Sequence, residues 1–220
     1  MIDFHTHTFF SDGALSPAEQ VRRAIVAGYK AIGLTDHVDF SNMEFVYNSL
    51  SEFVNTLKDA NLPINVIPGV EITHVPAKLI EKIVTKAKDL KIPLIVVHGE
   101  SIVEPVEEGT NRAAIESLVD ILAHPGLIKE EDVKVAVKLG VSLEISGRRG
   151  HSLTNGYIAN ISKVYEANLV INSDAHSYTD FLKEDLRKNI LYGCGLNLNQ
   201  ISKVDENMEY LLDKVLKKMV

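Results

Sequence analysis

The sequence predicts an α/β fold in which a parallel barrel of seven strands is the simplest assembly, and three observations predict it. Strand-like apolar runs alternate with segments of helical period about seven times along 220 residues, with turn residues at the junctions and no low-complexity linker. Runs such as Ile95-Val96-Val97 are continuously apolar, as expected of parallel strands covered on both faces. Each run also ends in a side chain able to bind metal, and βα barrels gather their functional groups at the C-terminal strand ends. An open doubly wound sheet would concentrate its site at one switch point, so ligands after all seven runs favour closure. One domain over residues 1–220 is the expected organisation.

The elements follow in order. Ile2-Asp3-Phe4 leads into His5 and His7, and Ser11-Asp12-Gly13 reads as a turn. Ser16-Pro17-Ala18-Glu19 is a helix start, with Ser16 as N-cap, Pro17 first and Glu19 closing a capping box; Gly28 ends that helix. Ala31 to Leu34 leads into Asp36-His37, and a helix over about Val46 to Ala60 has Val46, Leu50, Phe53, Val54 and Leu57 as its apolar stripe. Ile64 to Val70 ends at Glu71, and Ala77 to Leu90 repeats apolar residues at helical spacing among lysines. Ile92 to Val97 ends at His98. The polar stretch Gly99 to Arg112, with Glu100, Glu104, Glu107 and Glu108, is either a loop shaping substrate choice or a plain solvated acidic connection.

Leu118 to Ala123 ends at His124, and a helix over Glu130 to Leu139 stops before Gly140. Val141 to Leu143 ends at Glu144, followed by Arg148, Arg149 and His151 on a loop and a helix over Ser152 to Ala167. Leu169 to Asn172 leads to Asp174 and His176. Two more helices close the chain, over Asp180 to Ile190 and about Val204 to Val220. The second sets Met208, Leu211, Leu212, Val215 and Leu216 on one face, as core or subunit contact.

Bulk composition narrows the function. The formal charge of −7 argues against a nucleic-acid-coating protein, which would rely on Lys and Arg to neutralise phosphates. Cys194 stands alone, so no disulfide framework exists, which fits a reducing cytoplasm. Its apolar surroundings near Gly193 and Gly195 favour a small filler over a nucleophile. No apolar stretch reaches bilayer-spanning length, and the N-terminus lacks the basic and apolar regions of a signal peptide.

His5 and His7 stand two apart on a strand, so their side chains leave one face and can converge on one ion. Alone, such a pair is a weak signal, and Asp12 alone is ordinary turn chemistry. Six of the eight histidines in matching positions at strand ends are a different matter. A carboxylate at Glu71 can bridge two cations, with a simple ion-pair role as the alternative.

As an ordered set, His5-Thr6-His7 with Ser11-Asp12-Gly13, Thr35-Asp36-His37, Gly69-Val70-Glu71, Val97-His98-Gly99, Ala123-His124-Pro125 and Ser173-Asp174-Ala175-His176 resembles the motifs of the polymerase and histidinol phosphatase (PHP) family. The resemblance runs from Ile2 to His176. It implies a distorted seven-stranded, TIM-like βα barrel with two to three divalent ions (Zn, Mn or Fe) at the C-terminal strand ends. Carried over motif by motif, it assigns His5, His7, Glu71 and Asp174 to a first ion, Glu71 with His98 and His124 to a second, and Asp12, His37 and His176 to a third. Asp36 is left over, as a residue orienting a ligand.

Three divalent ions against the carboxylates of Asp12, Glu71 and Asp174 leave such a pocket cationic, which suits a phosphate monoester dianion and a hydroxide formed from metal-bound water. The implied activity is hydrolysis of a small phosphorylated metabolite, histidinol phosphate being one candidate. Trimming of a nucleotide or nucleic-acid end is a second reading, and a non-catalytic barrel stapled by metal a third. Arg148 or Arg149 can grip phosphate and His151 can protonate a leaving group, with solvated loop residues as the alternative. His74 has a weaker case of the same kind. Glu144 can orient Arg148 or a bound water, or be a plain strand-end carboxylate. Neither a membrane nor a long nucleic acid is expected as partner.

Overall fold

In a computed structural model describing residues 1–219, the apolar runs become parallel strands: β1 (Ile2–Asp3), β2 (Ala31–Leu34), β3 (His37–Val38), β4 (Asn65–Ile72), β5 (Leu94–His98), β6 (Ile121–Ala123), β7 (Ser142–Ser146) and β8 (Leu169–Asn172). They pair in the order β1-β2-β4-β5-β6-β7-β8, every pair parallel. The extra strand β3 continues β2. Ala31 pairs with Asn65 and His37 with Glu71, so both segments keep one register along β4 and only Thr35-Asp36 interrupts them. The count of seven strand positions therefore stands, with the second broken where its polar end begins.

Strands β2, β5 and β8 are buried along their whole length, which is why they run apolar without alternation up to their polar ends. Closure between β1 and β8 differs from the rest. A single parallel bridge, Thr6 to Ala175, joins them, with the His7 amide donating to the Ala175 carbonyl at 2.8 Å. Below it, side chains replace the ladder: Asn172 Oδ1 accepts from the Phe4 amide at 2.8 Å, and Asp3 accepts from the Ser173 amide at 3.2 Å. The barrel is thus nearly closed and distorted at this seam, next to the histidines.

Helices α1 (Pro17–Val26), α2 (Met43–Leu57), α3 (Ile80–Asp89), α4 (Thr110–Glu116), α5 (Glu130–Leu139), α6 (Asn155–Tyr165), α7 (Glu184–Gly193) and α8 (Leu198–Lys218) lie between and after the strands. Ser16 caps α1 as expected, accepting from the Glu19 amide at 3.2 Å, and α5 ends on Gly140 at φ +71, a left-handed turn that favours glycine. Several expected helix bounds need correction. Helix α4 falls at the end of the stretch read as a polar connection. The expected helix from Asp180 begins instead at Glu184, because the Asp180 carboxylate accepts from the His176 and Ser177 amides and holds a turn there. The first turns of the helices expected from Ala77 and Ser152 are 3₁₀ turns, Ala77–Leu79 and His151–Thr154.

The last helix starts earlier than expected, at Leu198, where Asn197 and Gln200 form a reciprocal capping box. Val220, the expected end of that helix, lies outside the described residues. Its apolar face is core: Val204, Met208, Leu211, Leu212 and Val215 are buried, each such side chain worth about 1.5–3 kcal/mol of transfer free energy. No helix among the described residues is long and apolar enough to cross a membrane.

Candidate metal centre

The seam and the strand ends bring all nine expected ligands to one mouth of the barrel. Past β1 the chain stays extended, with Thr6 turned away to donate to the Gly33 carbonyl at 2.7 Å, so His5 and His7 face the same way with rings 5.0 Å apart. The loop that follows folds back on His7. A Cβ at Gly13 would lie 2.3 Å from the His7 carbonyl oxygen, so only glycine fits beneath Asp12. Asp36 gathers this loop. Its buried carboxylate accepts from the Thr8 amide (2.7 Å), the Thr8 hydroxyl (2.8 Å) and the Ser11 hydroxyl (2.7 Å), which aims Asp12 at His176 (3.0 Å) and His37 (3.5 Å).

Glu71 lies at the centre, fully buried. Its oxygens lie 3.3 Å from His5 Nε2, 3.6 Å from His7 Nε2, 3.5 Å from His124 Nε2 and 2.7 Å from His37 Nδ1. Asp174 stands opposite, 3.3 Å from His7 Nε2 and 3.6 Å from His124 Nε2. Adjacent donors bound to one ion at about 2.0–2.2 Å sit roughly 3–3.6 Å apart, and most of these separations fall there. Both Glu71 oxygens, both His7 ring nitrogens and His5 Nε2 are buried without a well-aligned hydrogen bond, the 2.7 Å approach of His37 Nδ1 to Glu71 being a charge contact of poor hydrogen-bond geometry. Orphaned buried groups of this kind are costly in a fold with no use for them, and a donor set of imidazole and carboxylate suits divalent cations.

Further shells fix ring orientation. His5 Nδ1 meets the buried Glu144 carboxylate at 2.9 Å, which also accepts from Asn172 Nδ2 at 2.8 Å, leaving His5 Nε2 for the centre. Glu144 therefore orients His5; the Arg148 partner considered for it does not form. His98 Nδ1 donates to the Gly99 carbonyl at 3.0 Å, with the same result for its Nε2. His124 and Asp174 hold φ of +25 and +54, a strained backbone that is kept where a site demands it.

The charges are mutually adjusted. Burial opposes a charge on His5, but Glu144, Glu71 and Asp174 outweigh it and hold its pKa well above the ordinary histidine range. Burial, with His37 beside it, pushes His7 well below. Burial would raise the Glu71 carboxyl, yet His5 and His37 keep it well below the usual carboxylate range. Carboxylates that favour a charge on His5 would equally favour a divalent cation among them.

The loop after β7 divides its residues. Arg148 enters the site, its Nη1 3.3 Å from the Asp174 carbonyl oxygen and 2.7 Å from His176 Nδ1. Arg149 is exposed and does not line the cavity. His151 stacks on His124, ring centroids 4.0 Å apart, and joins His98 and His124 in a group of nitrogens close enough to share an ion. Burial, then His124 and His98, push its pKa down to about 3. Glu104, part of an acidic loop in the sequence, meets His98 Nε2 at 3.0 Å and exposed His74 at 3.5 Å. Its place six residues after His98 was the only sequence signal. The whole cluster opens into a cavity of ≈ 600 Å³.

Comparison with known proteins agrees with this geometry. The chain matches the PHP domain over residues 3–216. It belongs to the PHP family. An uncharacterised protein of Methanocaldococcus jannaschii is 47% identical across 90% of this chain and 92% of its own length. A Clostridium botulinum protein named a probable phosphatase is 27% identical across 97% of this chain and 95% of its own. Among solved structures, the chain resembles a component of archaeal ribonuclease P with mature tRNA (TM-score 0.72, 19% identity, 98% of this chain and 91% of that one). It also resembles the Lactococcus lactis histidinol phosphate phosphatase in complex with zinc, L-histidinol and phosphate (TM-score 0.61, 16% identity, 89% and 94%). At these identities the structures speak for the fold. The clustered His, Asp and Glu groups could hold divalent metal ions, as is typical of PHP-type multinuclear centres.

Proposed function

We propose that this PHP barrel is a metal-dependent phosphoesterase that hydrolyses a small phosphate monoester, in a reaction of phosphatase type. The observation that carries this reading is Glu71, buried and orphaned between the nitrogens of His5, His7 and His124. His5, His7, Glu71 and Asp174 would hold a first cation, Glu71 with His98 and His124 a second, and Asp12, His37 and His176 a third. When bound, such cations supply charge to phosphate oxygens and lower the pKa of water. Around them the chain's own residues orient and exclude: Glu144 turns His5, Asp36 holds the Asp12 loop, and Arg148 brings a guanidinium beside Asp174, able to meet phosphate oxygens in bidentate fashion.

The Lactococcus enzyme's complex with L-histidinol and phosphate, and the name of the Clostridium relative, support phosphate ester hydrolysis. A cavity of ≈ 600 Å³ suits a metabolite-sized ester. The lone cysteine, buried and free, supports a reducing cytoplasmic setting for one barrel domain. Phosphate release from sugar phosphates, histidinol phosphate, nucleotides and short oligonucleotides tests the reading. Metal-dependent release from a small monoester is expected. Protein that holds its metals yet turns over none of the panel would favour a barrel merely stapled by metal, and turnover confined to oligonucleotides would replace the substrate class.

A further inference from the structure

Beyond the nine family ligands, the cavity wall carries a carboxylate that stands beside the ring nitrogens of His98 and His151. Glu104 Oε2 lies 3.0 Å from His98 Nε2 and Oε1 lies 3.3 Å from His151 Nε2, so the carboxylate spans the two rings that flank His124. His98, His124 and His151 already place their nitrogens close enough to share one ion. His151 is turned toward Glu104 by a 2.6 Å hydrogen bond between its Nδ1 and the buried Ser101 hydroxyl, from the loop that carries Glu104.

That loop has fixed shoulders and an exposed tip. Glu100 Oε1 accepts from the Gly109 and Asn111 amides, both at 2.9 Å, and Glu107 accepts from the Ala77 amide at 2.9 Å. Between these anchors Ile102 and Val103 are exposed, and Glu104 itself is only half-buried. Val103 lies over Gly150, where an added Cβ would stand 3.2 Å from it, so the tip rests against the His151 loop. A carboxylate on such a tip can withdraw at little cost, unlike the buried Glu71. It presents two oxygens to the cavity, as a phosphate would, and competes with phosphate for the same donors and the same cation.

We infer that Glu104 is a displaceable ligand: with His98, His124 and His151 it closes the second cation position at rest, and the phosphate group of the substrate takes its place. The inference rests on the metal-dependent reading above. It explains why an acidic side chain faces a pocket that must admit a dianion, since the side chain leaves as the dianion arrives.

The test uses the full chain loaded with cobalt, comparing wild type with Glu104→Ala and Glu104→Gln. Cobalt affinity is read from visible absorption and metal titration, and inorganic phosphate affinity from the spectral change at saturating cobalt. Both variants are expected to bind one cobalt ion about 10–100-fold more weakly, in the range found when a metal's supporting groups are removed. At saturating cobalt they should bind phosphate about tenfold more tightly, having no carboxylate to displace. Unchanged cobalt affinity, or cobalt loss without a gain for phosphate, overturns the inference. Wild type that binds fewer than two ions overturns the metal-dependent reading itself, so the two failures are distinguished.

Discussion

Two buried carboxylates at opposite ends of the barrel are treated in opposite ways. At the base, where β5, β6 and β7 begin, Asp120 takes Lys218 at 2.8 Å, Lys214 at 3.1 Å and the Ile95 amide at 3.0 Å. At the mouth, Glu71 is equally buried, yet neither oxygen has a well-aligned hydrogen bond, and the facing nitrogens of His5 and His7 are orphaned too. One carboxylate is satisfied by the chain itself, and the other is set among groups that share its need for a cation. The difference separates a structural charge from a functional one: burial is common to both, and completeness of partners is not.

The contrast breaks most sharply at Glu71. Glu71→Gln keeps size and burial while removing the charge that two cations would share, so activity should fall by at least about 10³-fold with near-native circular dichroism. A variant that keeps activity would place Glu71 in the same class as Asp120. Proton competition comes next. Against the cost of burial, Glu144 and Glu71 hold the pKa of His5 up, Glu71 does so for His37, and a hydrogen bond to Glu104 does so for His98. A cation binds only the deprotonated nitrogen. Apparent metal affinity should therefore drop as pH falls through these raised values, by about tenfold per pH unit for each proton displaced. Titration against a competing chelator from pH 8 to pH 6 measures this, and a flat profile would contradict it.

At the other end, Asp120→Ala should leave kcat/KM and metal content unchanged while costing about 2 kcal/mol of stability by chemical denaturation, because the Ile95 amide loses its partner and the half-exposed lysines recover only their solvation. Lost activity there would blur the distinction between the two ends. The smallest effect is expected at Arg148, whose replacement by alanine should raise KM about tenfold and change kcat little if it grips phosphate in ground and transition states alike. An unchanged KM would remove it from the phosphate's path.

The mouth was legible because its ligands follow apolar runs directly: a buried strand fixes where His98, His124 or Glu71 must emerge, and family motifs name the set. The parallel barrel followed from the same runs. What was not legible depends on contacts between distant segments. Asp36, a leftover strand-end carboxylate in the sequence, proves to organise the Asp12 loop through Thr8 and Ser11, 28 and 25 residues away. Glu144 meets His5 across 139 residues, so no local pattern could choose His5 over Arg148. Glu104 lies among acidic neighbours, and composition made it look solvated; only the turn of its loop over Gly150 brings it to His98 and His151. Arg149 could not be separated from Arg148 by residue type, since one peptide step turns one side chain inward and the other out.

The central claim is that the orphaned groups at the mouth exist for cations shared through Glu71. Native mass spectrometry of purified protein, reconstituted with manganese or zinc and compared with Glu71→Gln, tests it most directly. Two to three ions per wild-type chain, with at least one lost from the variant, are expected. A wild-type chain holding fewer than two ions, or a variant holding as many as wild type, would contradict it.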